Sequence, residues 1–296
     1  MSAPSFLIVG APKCGTTAMT RYLEAHPEVF VAARKDLHYF GTDLNFTRRQ
    51  RLTPDDYAAH FADAQGARAA GEASVWYLYS QRAAAEIAAH NPEMRIIIML
   101  RQPVDMMHAL YTQLRLNGLG DEDLTTFQAA LDAEPDRRAG RRIPAKTPLP
   151  EALLYRQVAA FAEQVRRYQD AFPAEQILVV LQDDLKADTP ATYRRTLEFL
   201  GVDPSFQPSL ERVNANKVVR SEGLRKLIAA TPSAAKDLIP TGLRRGVRKG
   251  MAKLNSRHAP RPPLDPDLRA VLLEELRPEI ERLADVIDRD LSDWVQ

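Results

Sequence analysis

Lys13, Gly15, Thr16 and Thr17 follow the apolar run Phe6–Val9 and precede a stretch of helical spacing. A chain that leaves a strand, turns through small residues and enters a helix aims unpartnered backbone N–H groups and the positive end of the helix dipole at one point. Gly15 lets the backbone approach an anion closely, the threonines add hydroxyl donors, and Lys13 adds a formal charge. The stretch reads as a cradle for a phosphate-like group. Its lysine stands ahead of Gly15, whereas a triphosphatase loop, G-x-x-x-x-G-K-[ST], carries it after the second glycine. A triphosphatase also holds Mg²⁺ partly through an aspartate ending a neighbouring strand. Here the strongest apolar run, "RIIIML", ends in Arg101. A second cation at that point suits a second phosphate and removes the need for a metal, so no metal ligands are assigned.

The elements that must hold these residues are legible as short apolar runs. Phe6–Val9, Val29–Ala32, Arg95–Leu100 and Gln176–Leu181 read as buried strands. Between them, Met19, Tyr22 and Leu23 share a helical face, Ala83–His90 is alanine-rich, and Tyr155, Val158, Ala159, Ala162 and Val165 recur at helical spacing. Strands alternating with helices imply an α/β fold, a parallel sheet covered on both faces. Leu276, Ile280, Leu283 and Ile287 form a C-terminal amphipathic helix that packs on the body. Two segments depart from the pattern. Residues 118–150 are polar, with Arg137, Arg138, Arg141, Arg142 and Lys146, and read as a long functional or mobile loop. Residues 231–263 carry Arg244, Arg245, Arg248, Lys249, Lys253 and Arg257 beside an apolar stripe. That stripe suits a helix packed on the body, or a peripheral surface for anionic lipid or an acidic substrate.

Bulk composition narrows the classes. The 296 residues fit one domain, 1–296, and a net charge of +1 argues against a general nucleic-acid binder. Cys14 is the only cysteine, so neither a disulfide framework nor a cysteine-built zinc site exists. The N-terminus lacks the basic and long apolar parts of a signal peptide, and no apolar run reaches membrane-spanning length. A cytoplasmic location is the expectation. Nothing in the sequence assigns an oligomeric state.

"APKCGTTAMTRYLEAHP" resembles the 5′-phosphosulfate loop of sulfotransferases that use 3′-phosphoadenosine 5′-phosphosulfate (PAPS). "LRQPVDMMHALYTQLRLNG" is similar to their 3′-phosphate segment, R-N-P-x-D-R-x-x-S-x-Y, and "ILVVLQDDLKADTPATYRRTLEFLGV" to their later strand–"EDL"–helix–"FLG" block. "RKDLHYFGTDL", "GEASVWYLYS" and "DVIDRDLSDW" resemble the branch holding bacterial small-molecule and heparan sulfate sulfotransferases. The resemblance implies a P-loop-type parallel sheet flanked by helices. It also implies transfer of a sulfuryl group from PAPS, without metal, to a hydroxyl of a small molecule, lipid or glycoconjugate.

The same resemblance distributes roles. Lys13 stabilises the leaving oxygen, while Cys14, Gly15, Thr16 and Thr17 hold the 5′-phosphate with the loop amides. Arg101 holds the 3′-phosphate, and Arg220 adds a further cofactor contact. Asp36 aligns with the family's glutamate base, with His38 orienting it or serving itself, since its free pKa lies near neutrality. Glu72 and Ser74 line the acceptor site. Trp76 and Tyr77 either stack on adenine, wall the acceptor pocket or pack in the core, and residues 118–150 fall where the family often builds its substrate lid. Two residues depart from the pattern. Ala109 stands where a 3′-phosphate-binding serine is expected, leaving Tyr111, Thr112 or Arg101 to compensate. Cys14 replaces a frequent serine, either as small-residue packing or as a thiol whose pKa a helix N-terminus lowers. Two other readings share the loop: a magnesium-dependent kinase or triphosphatase, and a binding protein without turnover, for which Ala109 is the motive.

Overall fold

The structure, a computed structural model, describes residues 3–47, 50–116, 121–145, 147–209, 217–219, 256–258 and 262–296. Five parallel strands form its centre in the order β2-β3-β1-β4-β5. They are β1 (Phe6–Gly10), β2 (Val29–Val31), β3 (Ala69–Ala73), β4 (Arg95–Leu100) and β5 (Ile177–Leu181). β1 and β3 are buried along their whole length and β4 in all but its first residue, as strands covered on both faces must be. From β1 the chain crosses over β3's place to β2, returns to β3, then passes β1 to reach β4. The order reverses beside β1, and in open α/β sheets ligands bind off the carboxyl ends of the strands at such a point.

The helices in chain order are α1 (Thr16–Glu24), α2 (Pro54–Ala59), α3 (Ala83–His90), α4 (Pro103–Leu116), α5 (Phe127–Asp132), α6 (Glu134–Arg138), α7 (Tyr155–Val158), α8 (Phe161–Ala171), α9 (Gln182–Ala187), α10 (Thr189–Leu200) and α11 (Pro266–Ile287). β6 (Lys217–Val219) and β7 (Ser256–His258) pair antiparallel, with β6 beside α4. The four expected strands are present to within one residue at either end. α11 buries Leu272, Leu276, Ile280 and Leu283 against α8 and α4, as its spacing predicts.

Three features differ from the sequence reading. β3, "AAGEA", is an additional strand next to the centre of the sheet, although it has no β-branched or aromatic residue. Its small side chains are what its place requires: a Cβ at Gly71 would lie 2.4 Å from the Phe6 carbonyl oxygen. The Tyr155–Val165 spacing is split between α7 and α8, because Ala160 leaves helical backbone at ψ 73°. The expected long loop contains α5 and α6, closed by a buried ion pair. Both terminal nitrogens of Arg137 donate to the Glu122 carboxylate, at 2.7 and 2.8 Å, and Tyr155 donates to the same carboxylate at 2.7 Å. Arg137 is 3% exposed and Glu122 0%, so this arginine is neither solvated nor open to an acceptor. Arg141 and Arg142 pair with Asp136 at the surface. Of the basic segment 231–263, residues 231–255 and 259–261, with Arg244, Arg245, Arg248, Lys249 and Lys253, lie outside the described residues.

Candidate active site

The loop from Ala11 to Gly15 joins β1 to α1. Gly15 caps the helix at φ 93°, in the left-handed region that glycine enters freely, and no side chain caps the first N–H groups. The first turn of α1 also contains no acidic residue. α2 shows the ordinary alternative: Thr53 and Asp56 close a reciprocal capping box, and Asp55 and Asp56 answer the dipole. The N-terminus of α1 therefore has neither a side-chain cap nor an acidic residue to answer its positive potential.

The ends of neighbouring strands add further side chains to this edge. After β2 the chain turns through Lys35, Asp36 and His38. Asp36 (φ 58°) and His38 (φ 51°), like Lys13 (φ 66°), lie in the left-handed region. Among the described residues only two further non-glycine residues do so, Arg142 and Asp288, so backbone strain concentrates at this edge. Hydrogen bonds hold the turn to β3 and its continuation. The Asp36 N–H donates to the Ala73 carbonyl at 2.9 Å, and the Asp36 carboxylate accepts from the Val75 N–H at 3.4 Å. The His38 ring stacks on Phe46 at 4.2 Å between centroids.

Glu72 and Ser74 sit one layer below. Both have 0% exposure. The Ser74 hydroxyl donates to Glu72 at 2.8 Å and accepts from the His38 N–H at 3.1 Å. They therefore reach the cleft through the backbone of His38, and their side chains do not open onto it. Burial, with a smaller push from the charge of Asp36, raises the Glu72 carboxyl to about 7 against the opposing hydrogen bonds of Ser74 and Tyr77. The Tyr77 hydroxyl accepts from the Tyr39 N–H at 2.8 Å, and Tyr77 is fully buried, so it belongs to the core beneath the same turn.

Arg101 directly follows β4, and its side chain is 16% exposed and pairs with Asp105 at 3.3 Å. Its Nε is buried with no hydrogen-bond partner, an unused donor at the sheet edge. Asp105 also accepts from Arg269 of α11 at 2.8 Å. Burial alone would raise the Asp105 carboxyl, but the Arg269 hydrogen bond and the Arg101 charge hold it below the usual range. Ala109 is 1% exposed and lies inside α4. Neither proposed substitute is poised in its place. The Tyr111 hydroxyl donates to the Leu124 carbonyl at 3.1 Å, and the Thr112 hydroxyl to the His108 carbonyl at 2.8 Å.

The Cys14 expectation resolves toward packing. Its side chain is 0% exposed, and burial pushes the thiol up to about 12 even though Arg101 and Lys13 pull it down. A thiolate does not form there, and Cys14 can offer a ligand only its backbone. Those two cations act on one sulfur, which places Lys13 and Arg101 around the same loop. Arg220 lies outside the described residues.

One participant is absent from the sequence reading. The Lys35 ammonium donates to the Thr17 hydroxyl at 2.7 Å and to the Thr16 hydroxyl at 3.1 Å, tying the turn after β2 to the loop after β1. Its sequence signal is faint: a lysine just past a strand end, beside Asp36. Among the described residues, no group of three or more His, Cys, Asp or Glu side chains could hold a metal ion, and no helix is long and apolar enough to cross a membrane.

Comparison with known proteins agrees with this geometry. The chain superimposes on the crystal structure of a sulfotransferase from Alicyclobacillus acidocaldarius with a TM-score of 0.75 and 28% identity, covering 100% of both chains. It is 27% identical over 251 residues to carbohydrate sulfotransferase 15 of Mus musculus, across 68% of this chain and 44% of that protein. It is 24% identical over 301 residues to the bifunctional heparan sulfate N-deacetylase/N-sulfotransferase 3 of Homo sapiens, across 99% of this chain and 31% of that protein. The chain thus spans less than half the length of these curated relatives. The family model described as "Sulfotransferase domain" matches residues 3–222, from ahead of β1 to beyond β6. The chain belongs to the sulfotransferase domain family, which takes its sulfuryl group from PAPS.

Proposed function

We propose that this chain transfers the sulfuryl group of PAPS to a hydroxyl of a small-molecule, lipid or glycoconjugate acceptor. The observation that carries the reading is the pairing of an uncapped helix N-terminus behind Lys13 with the Arg101 donor at the end of the adjacent strand. PAPS supplies the sulfuryl group, and adenosine 3′,5′-bisphosphate is left when that group moves to the acceptor oxygen. The residues present fit such a donor. The loop amides of Cys14 and Gly15, with Thr16 and Thr17, hold the 5′ end, and Arg101 holds the 3′-phosphate. Arg220 belongs to the same proposal as a further contact.

Lys13 places a positive charge where negative charge grows on the departing oxygen, and such preorganised charge lowers a barrier without reorganisation. Asp36, fixed by the Val75 N–H, takes the proton of the acceptor hydroxyl, and His38 beside it orients the carboxylate. Glu72 and Ser74 support that turn from below. The acceptor is proposed only as a class, and a cytoplasmic location and a single domain over 1–296 belong to the same proposal.

The test is transfer from sulfur-labelled PAPS to a panel of alcohols, phenols and hydroxylated glycoconjugates, with Lys13→Ala alongside. We expect label transfer to at least one acceptor, and a fall of about 100- to 1000-fold in kcat for the variant. Undiminished turnover by Lys13→Ala would refute the assigned chemistry.

A further inference from the structure

Lys35 is a cation in an unusual setting. Most of its side chain is shielded, and burial lowers its pKa, with the charges of Asp36 and Glu24 only partly opposing. Among the described residues no carboxylate comes within ion-pair distance of it, and its hydrogen bonds go to the two threonine hydroxyls of the anion loop. A shielded charge without a counter-charge is unfavourable, and proteins ordinarily pair such groups. The direction of the hydrogen bonds adds a second point. An ammonium has no lone pair and can only donate, so both threonine oxygens must accept from it. Each hydroxyl proton is then left to point at another acceptor, and among the described residues neither Thr16 nor Thr17 donates its hydroxyl to the chain.

Resting on the sulfotransferase reading above, we propose that Lys35 is a second cation of the 5′ anion site, holding the Thr16 and Thr17 hydroxyls as donors toward a phosphate or phosphosulfate group. The group that completes the arrangement is a 5′-linked anion of a nucleotide. It supplies the ion-pair partner that Lys35 lacks among the described residues and the acceptors that the two hydroxyls lack there. Lys35 is thereby a positioning residue for the threonines, distinct from Lys13 in the loop itself.

Titration calorimetry with two nucleotides tests this without turnover. Adenosine 3′,5′-bisphosphate carries the 5′ anion, and adenosine 3′-monophosphate lacks it. Lys35→Met is expected to weaken the bisphosphate about tenfold or more, the scale of a hydrogen bond to a charged group, while changing the monophosphate less than about twofold. Lys35→Arg keeps the charge and should retain most of the bisphosphate affinity. Thr17→Val should weaken the bisphosphate too, and the Lys35→Met/Thr17→Val pair should cost less than the sum of its parts, because the residues act as a unit. Equal weakening of both nucleotides, an unchanged bisphosphate affinity in Lys35→Met, or strict additivity of the pair would overturn the inference while leaving the sulfotransferase reading intact. Failure of the unaltered protein to bind either nucleotide would bring down that reading and this inference with it.

Discussion

Two arginine- and lysine-bearing regions of this molecule solve the same electrostatic problem in opposite ways. On the buried face of α6, Arg137 is sealed from water, and its charge is met by the bidentate carboxylate of Glu122, with Tyr155 as a third member. At the carboxyl edge of the sheet, Lys35 is shielded and, among the described residues, hydrogen-bonds only to hydroxyls, with the charges of Asp36 and Glu24 acting from beyond ion-pair distance, and Arg101, although paired with Asp105, keeps a buried Nε without a partner. The first region is internally complete, and its charge is a structural element. The second leaves donors without acceptors among the described residues, at the Arg101 Nε and at the two threonine hydroxyls, and this is the ground for proposing an anion there. Burial of a basic residue therefore says little about function until its partners are counted.

The sharpest way to break this contrast is to remove each arginine in turn. Arg137→Ala leaves the Glu122 carboxylate buried without its partner and should cost about 3–5 kcal/mol of stability in denaturant unfolding. Replacing both members by apolar residues, Arg137→Met with Glu122→Leu, should recover most of that loss. Arg101→Ala should move the unfolding midpoint far less, and weaken adenosine 3′,5′-bisphosphate by about tenfold or more in calorimetry. If Arg101→Ala were the more damaging to stability, the distinction would be gone.

A smaller effect sharpens the picture on the acceptor side. Asp36→Asn should lower kcat about 100-fold or more, with nucleotide affinity little changed, and His38→Ala should cost less. A near-normal rate in Asp36→Asn would move the base to His38. Smaller again is the pH dependence set by Glu72, whose carboxyl lies at about 7 in the folded chain against 4.5 as its ordinary value. Between these values the folded chain holds a proton that the unfolded chain has lost. The stabilising contribution is thus fully present below 4.5 and is lost as pH rises through 7. Glu72→Gln should flatten unfolding stability across that window, measured by denaturant titration at several pH values. The slightest change concerns Cys14, where Cys14→Ala should cost about 1 kcal/mol of packing. The native thiol should resist alkylation until the chain is unfolded, since a thiol held at about 12 is un-ionised near neutrality.

Much of this architecture was legible because it rests on local chemistry. β4 announces itself through a run of isoleucines, and the anion loop through glycine, threonine and lysine at close spacing. β3 was not legible, because "AAGEA" is strand-like only beneath Phe6, where a larger side chain has no room. Glu72 and Ser74 could be placed near the site but not at their depth, since exposure depends on what covers a residue. Arg137 illustrates the same limit: its partner Glu122 lies fifteen positions away, and no periodicity links them.

The sequence by itself determined the parallel α/β sheet, the glycine- and threonine-bearing turn with Lys13 between β1 and α1, and the arginine directly after β4. Each follows from residue types within one turn or one strand, where backbone conformation and side-chain chemistry act at short range. Only the tertiary structure decided that Lys35 reaches Thr16 and Thr17, that Cys14 is sealed, and that Arg137 is spent on Glu122. The physical reason is that charge compensation and desolvation are set by neighbours in space, and the fold brings those neighbours from distant parts of the chain.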